Sequence, residues 1–281
     1  VASSFRFVKP TPLPGFTPAF GAAILWLGVV VLIPLGALVL RSTQLGFSGI
    51  LAIAMQPRVM AALELSFGLS LAAAILNVFL GGVIAWVLTR YEFPGRRFVD
   101  ASVDLPFAMP TAVAGIALTA LYAPNGWIGA PLEQVFGLKV AFTPLGIFIA
   151  LTFIGLPFIV RTVQPVLEDV EVEIEEASAT LGANRAQTVL RILLPPLIPA
   201  LLTGLALAFA RAVGEYGSVI FIAGNVPFVS EIAPLMVVVR LEEFDTAGAT
   251  AVAVIMLVIS FLSLFAINAL QAWTRRRLGH A

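Results

Sequence analysis

Residues 61 to 89 read AALELSFGLSLAAAILNVFLGGVIAWVLT, and this one run decides the class of the protein. A helix needs about 20 mostly apolar residues to cross a hydrocarbon core about 30 Å thick. Comparable runs lie near 20 to 40, 102 to 123, 143 to 163, 196 to 222 and 248 to 270, which predicts about six crossings. Their interiors carry Gly and Pro, as in DLPFAMPTAVAG at 104 to 115, which neighbouring helices support in a bilayer. A barrel would instead show alternating segments of about ten residues. The expected fold class is an all-α membrane protein, a polytopic helical bundle.

Composition agrees. Of 281 residues, 60% are hydrophobic and 11% charged, with 16 basic against 16 acidic side chains, whereas soluble domains hold about a quarter charged residues. There is no cysteine, and the single histidine, His280, lies next to the last residue. Zinc sites, histidine triads, thiol nucleophiles and disulfides are therefore not expected, and no metal or catalytic residue is assigned. Lys9 and Lys139 follow Val8 and Leu138, so neither is the Gly-preceded lysine of a phosphate-binding loop. ATP hydrolysis, if it drives this protein, must reside in another chain.

The first apolar run is longer than a signal-peptide core of about 7 to 15 residues and has no A-x-A site after it, so it reads as a retained crossing. With the N-terminus inside, Arg6, Lys9, Arg90, Arg96, Arg97, Arg161, Arg185, Arg191, Arg275, Arg276 and Arg277 fall on the cytoplasmic side. Arg41, Arg58, Lys139 and Arg240 fall outside, and Arg211 inside a crossing. The positive-inside rule then places both termini in the cytoplasm. The organisation expected is a tail at 1–18, a membrane domain at 19–275 holding a cytoplasmic loop at 165–195, and a tail at 276–281.

That loop reads QPVLEDVEVEIEEASATLGANRAQTVLRILLP over 164 to 195. Leu167, Val170, Ile174, Ala177 and Leu181 recur at steps of three and four, which predicts one apolar stripe on a helix. Gly182 supplies a left-handed cap, and a second helix from about Asn184 is expected to end at Pro195-Pro196. A plain acidic, solvated loop is the competing reading, given Glu168, Asp169, Glu171, Glu173, Glu175 and Glu176.

The spacing of Glu176, Ala177 and Ser178, then Gly182, then Ile192, Leu194 and Pro195 resembles the signature of the permease subunits of ATP-binding cassette importers. The pattern is E-A-A, three residues, G, nine residues, I-x-L-P, with Ser178 in place of its second Ala. The resemblance implies the type I (MetI/ModB-like) permease fold, with this loop as the coupling helix that docks on an ATPase subunit.

In the fifth crossing, RAVGEYGSVIFIAGN at 211 to 225 places Arg211 and Glu215 one helical turn apart. Charges so deep mark a pathway or pair with one another, and two readings stand: Arg211 assists an anion while Glu215 tempers binding, or the two form a structural pair. Pro106 and Pro110 are expected to bend the third crossing and open backbone groups to a cavity. Asn77 is expected to hydrogen-bond across helices.

The segment GEYGSVIFIAGN, with SEIAPLMVVVRLEEFDTAGATAVA after it, resembles the oxyanion-importer branch of these permeases, most closely the CysT-type sulfate/thiosulfate group. The resemblance runs from residue 13 to the last crossing. It implies a second permease of CysW type, two ATPase subunits that bind ATP and Mg, a periplasmic sulfate-binding protein, and a place in the bacterial inner membrane. Outer loops around Asn125, Gly126 and Trp127, and around Asn225 and 227 to 245, would meet the binding protein. A molybdate or tungstate permease is the alternative within the class. An ion-gradient-driven anion transporter is the alternative outside it, although the halves show no internal repeat. An intramembrane enzyme lacks any base, thiol or carboxylate dyad in the crossings, and nothing points to nucleic acid.

Overall fold

The computed structural model describes residues 16 to 277. Most of the 1–18 tail with Arg6 and Lys9, and the end of the chain with His280, lie outside the described residues. Every regular element among the described residues is helical.

The first crossing is α1 (Phe16–Leu27), a wide π turn at Gly28–Leu32 and α2 (Ile33–Thr43). Pro34 opens α2 without an N–H to donate, and the widened turn before it accommodates that loss. Its first half leaves Leu25 and Trp26 exposed, whereas α2 packs against the last helix of the chain with Ile33 and Leu40 still exposed. After short α3 (Gly46–Ala54), α4 (Pro57–Arg90) runs 34 residues. At 1.5 Å per residue it spans about 50 Å, so its ends project beyond the hydrocarbon core.

The third crossing is not one helix. It is assembled from α5 (Arg96–Val103), α6 (Leu105–Ala108) and α7 (Thr111–Tyr122). Pro106 sits in the first turn of α6, and Pro110 is the extended residue from which α7 starts. A short helix α8 (Gly129–Phe136) precedes α9 (Pro144–Glu168), which carries Pro157 and Pro165 internally.

The loop after α9 holds α10 (Val172–Thr180) and α11 (Arg185–Thr188). Through a second π turn at Val189–Leu193 the chain enters α12 (Leu194–Val213). The expected stop at Pro195-Pro196 does not occur. Residues Arg185–Val213 form one uninterrupted helical rod, because prolines in a first turn lack only donors that a wide turn leaves unpaired anyway. The fifth crossing also ends sooner than expected, at Val213. Past it come α13 (Val219–Ile222), an irregular stretch, α14 (Ala233–Glu242) and the last crossing, α15 (Thr246–Arg277).

The core is the packing of α4, α9 and α12. Ala74, Ala85 and Leu88 meet Ile159, Val160, Val163 and Leu167 of α9 and Ala200, Ala208, Phe209 and Val213 of α12. Glycines set the spacing: a Cβ at Gly81 would lie 2.8 Å from the Ile159 Cβ, and one at Gly204 would lie 2.9 Å from its Cδ1. Lipid offers no hydrophobic drive between helices, so close approach through small residues supplies the packing attraction. Asn77, fully buried, donates from Nδ2 to the Thr152 carbonyl at 3.0 Å, the cross-helix bond its position in the sequence predicts.

Candidate functional site

A knob between α9 and α12 is built from α10 and α11. The stripe expected from Leu167 to Leu181 does not form, since α9 continues to Glu168 and buries Leu167 while the chain turns at Asp169 and Val170. Ile174 is left 45% exposed and Leu181 88% exposed, so α10 presents its apolar side outward. Gly182 adopts φ +84° as expected. Asn184 then caps α11: its side chain accepts from the Gln187 N–H while the Gln187 side chain accepts from the Asn184 N–H, both at 2.9 Å.

Ser178, where the family pattern has alanine, is 6% exposed. Its Oγ donates to the Glu175 carbonyl at 2.7 Å and lies 2.8 Å from the Thr188 Oγ1. The hydroxyl ties the two short helices together, which alanine cannot do. Glu176 and Ala177 are exposed beside it, and Ile192, Leu194 and Pro195 are half-buried where the rod enters the bundle. The knob is fixed to α4 by Arg90, whose Nε donates to Glu175 Oε1 and whose Nη2 donates to the Val170 carbonyl, each at 2.8 Å.

Arg211 lies in the last turn of α12, and Glu215 lies just beyond it, so the pair straddles the end of the helix rather than sharing it. Glu215 is 2% exposed. Its Oε2 meets Arg211 Nη1 while its Oε1 accepts from the Ser218 N–H at 2.9 Å and the Ser218 Oγ at 3.1 Å. The carboxylate is thus fully bonded and shapes the turn into α13. The guanidinium it holds keeps 36% of its side chain exposed.

Beyond α13 the chain turns back. Phe142, preceding α9, donates its N–H to the Ile222 carbonyl, whereas Ala233, eleven residues later, donates its N–H to Ser66 Oγ at 2.7 Å. Ser66 is nine residues into α4, so at 1.5 Å per residue Ala233 lies about 13 Å from that helix end. α14 then returns, and Arg240 reaches Gln56 at 2.7 Å. Residues 223 to 232 are therefore a re-entrant loop, which lies beyond the apolar run at 196 to 222. Glu231 anchors it. Buried to 2%, Glu231 accepts from Arg58 Nε at 2.8 Å and Nη2 at 2.7 Å.

The broken third crossing is held from α9. Arg161 donates to both oxygens of Asp104 at 2.8 and 2.6 Å, to Asp100 Oδ1 at 2.7 Å and to Gln164 Oε1 at 2.8 Å. The two acids one helical turn apart were visible in the sequence, but their partner was not. Farther along, α7 packs on α13: a Cβ at Gly115 would collide with the Ser218 carbonyl, and one at Gly217 with Thr111 Oγ1.

In the loop between α7 and α8, Trp127 is 90% exposed and Asn125 is exposed, while Gly126 is buried against the Ala120 and Leu121 carbonyls. Asn225 is half-buried with φ +49°. Among the described residues no cluster of three or more His, Cys, Asp or Glu has the arrangement of a metal site.

Residues 77–280 match the family model described as "Binding-protein-dependent transport system inner membrane component". The "Sulfate transport system permease protein CysT" of Synechococcus elongatus is 51% identical over 254 residues, covering 90% of this chain and 91% of that one. The protein of the same description in Escherichia coli is 47% identical over 269 residues, covering 95% and 97%. Among solved structures, a bacterial alginate ABC transporter in complex with an alginate pentasaccharide-bound periplasmic protein aligns with TM-score 0.76 at 16% identity, covering 94% of each chain. An inward-facing MetNI methionine ABC transporter aligns with TM-score 0.53 at 20% identity over 78% of this chain and 99% of that one. At these identities the structures speak for the fold.

Proposed function

The chain belongs to the binding-protein-dependent transport system inner membrane component family, the membrane-spanning permeases of ABC importers, and on that premise we propose that it carries sulfate, with thiosulfate, inward across the bacterial inner membrane. It is a transport subunit, and ATP hydrolysis belongs to a separate subunit of the importer. The observation that carries the choice of substrate is the identity of about half of all residues over nine-tenths or more of the chain with sulfate permeases from two bacteria. A molybdate or tungstate permease of the same class is the reading it displaces.

In this reading α10 and α11 dock on an ATPase subunit that binds ATP and Mg, through Glu176, Ala177, Ser178, Gly182 and the rod from Ile192 to Pro195. The exposed apolar side of α10 supports the docking, because no described residue covers Leu181, which is 88% exposed. Binding of the knob to Arg90 and its continuity with α12 give a stiff path from ATPase movement to the membrane. A CysW-type second permease completes the pathway, and a periplasmic sulfate-binding protein delivers the ion to an outer face that includes Asn125, Gly126, Trp127 and Asn225. Both termini lie in the cytoplasm.

Within the pathway the two readings of the charged pair divide between its members. Glu215, fully bonded and buried, holds the turn after α12, and Arg211 presents its guanidinium to the passing dianion. The breaks at Pro106 and Pro110 serve the same end. α7 starts at Thr111 beside Gly217, and the first N–H groups of a helix lack intrahelical acceptors and favour negative charge.

The test is reconstitution with partner permease, ATPase and binding protein in vesicles, measuring ATP-dependent uptake of labelled sulfate with molybdate as competitor. Uptake that molybdate barely inhibits is the expected result. Uptake driven by an ion gradient without the ATPase overturns the mechanism, and preference for molybdate overturns the substrate. An Arg211→Gln complex that assembles and transports at the wild-type rate removes Arg211 from the pathway.

A further inference from the structure

Among the hydroxyl groups on α4, α9 and α12, those of Ser66, Thr89, Thr152, Thr162 and Thr203 each donate to the carbonyl four residues earlier. Inside a helix that carbonyl is the nearest acceptor a serine or threonine can reach. Ser70 is the exception. It is 1% exposed, and its Oγ has no hydrogen-bond partner among the described residues. A buried hydroxyl without a partner costs stability, so a hydroxyl that declines the helix backbone must have something else to bond.

The space beside it has the right size and chemistry. Ser70 and Ser66, one turn apart on α4, border a cavity together with Glu215 and the apolar side chains of Ile147, Leu151 and Ile232. Each of these six residues is at most 4% exposed. The cavity measures about 10 Å³, about what the centre of one water molecule requires. Its polar groups all have bonding capacity left. Ser66 Oγ donates to the Ala62 carbonyl and accepts from the Ala233 N–H, each at 2.7 Å, which leaves one of a hydroxyl's two acceptor positions. Both oxygens of Glu215 are engaged, by Arg211 and by the N–H and Oγ of Ser218, and a carboxylate takes about four donors. A cation would have to share Glu215 with Arg211, and an apolar guest would leave Ser70 unpaired.

We propose that this cavity holds one water molecule, which accepts from Ser70 Oγ and donates to Glu215 and to Ser66 Oγ. Every polar group at the cavity is then satisfied. The water joins the Ser66–Ala233 bond, where the re-entrant loop meets α4, to the carboxylate that carries Arg211. One exchangeable molecule thus links the loop to the charged pair. The site depends neither on the identity of the substrate nor on which face of the membrane is cytoplasmic.

The first test is a density map of the assembled transporter in nanodiscs, at a resolution that shows ordered water. A peak within about 2.7–3.2 Å of Ser70 Oγ, Ser66 Oγ and a Glu215 oxygen is expected. Ser70 Oγ turned back onto the Ser66 carbonyl, with no peak beside it, overturns the proposal. Thermal unfolding of the purified transporter reads the same site by its sign. Were the hydroxyl unpaired, Ser70→Ala would remove a cost and raise Tm, as alanine's helix propensity also would. With the water in place, Ser70→Ala is expected to lower Tm by about 2–4 °C, and an unchanged or raised Tm overturns the water. The loss in the double variant Ser70→Ala, Glu215→Gln is expected to be smaller than the sum of the two single losses, because either change breaks the same bridge. Strict additivity removes Glu215 from the site. Where Glu215→Gln does not fold, the density and the Ser70→Ala shift decide the matter alone.

Discussion

Arg90, the last residue of α4, holds Glu175 of α10 at 2.8 Å and with a second nitrogen holds the Val170 carbonyl at the same distance. A single side chain thus clamps both the turn before α10 and α10 itself to a membrane-spanning helix. Arg90 is 11% exposed and Glu175 23%, so the pair is shielded from water more than an ordinary surface bridge.

Arg90→Gln is expected to leave insertion and assembly intact and to reduce binding-protein-stimulated ATPase activity by about tenfold, the equivalent of losing hydrogen bonds to a charged group. Glu175→Gln keeps an acceptor for Arg90 and is expected to lose less. Full stimulation in reconstituted Arg90→Gln complex would dismiss the clamp.

Gly182 has φ +84°, and a Cβ built there meets nothing within 4 Å. The penalty for a side chain is therefore conformational, about 1–2 kcal/mol for a residue forced into the left-handed region. Gly182→Val is expected to abolish most sulfate uptake while expression persists, and Gly182→Asn, which tolerates that region, to retain more. Equal uptake by the two variants would place the effect in docking contacts instead.

The Arg58–Glu231 pair is asymmetric, with Arg58 at 42% side-chain exposure and Glu231 at 1%. Arg58→Ala leaves a buried carboxylate without its partner and is expected to destabilise by about 3 kcal/mol. Glu231→Gln leaves an arginine that water can reach and is expected to cost about 1–2 kcal/mol. Thermal unfolding of the purified protein orders the variants; a larger loss in Glu231→Gln would contradict this account of the re-entrant loop.

Gly115 faces the Ser218 backbone so closely that a methyl group collides with it. Gly115→Ala is expected to destabilise by about 1–3 kcal/mol despite alanine's better helix propensity, whereas Gly68→Ala on α4, with open space around it, is expected to be neutral or slightly stabilising. Tm values for the two variants decide this directly.

Much of this architecture is legible along the chain because the bilayer imposes a local rule: apolar runs of sufficient length become helices. The runs at 61 to 89, 143 to 163 and 248 to 270 correspond to α4, α9 and α15 on that ground alone. The left-handed turn at Gly182 is equally local. The rule fails at 102 to 123 and 196 to 222, where hydropathy stays high while the helix breaks. Hydropathy measures side-chain transfer and is blind to whether the backbone is helical, provided neighbouring protein satisfies its polar groups. Pro106 and Pro110 marked the first failure; Val213 to Gly217 gave only glycines.

The sequence by itself determined the class, the unbroken crossings and the spacing within the loop after α9, because each depends on residues within a few turns of one another. Only the tertiary structure decided which charges meet. Arg58 finds Glu231 across 173 positions, and Arg161 finds Asp100 and Asp104 across 61 and 57. Those separations carry no periodic signal, and the pairs hold because a buried or half-buried charge is stable only where folding brings a partner to it.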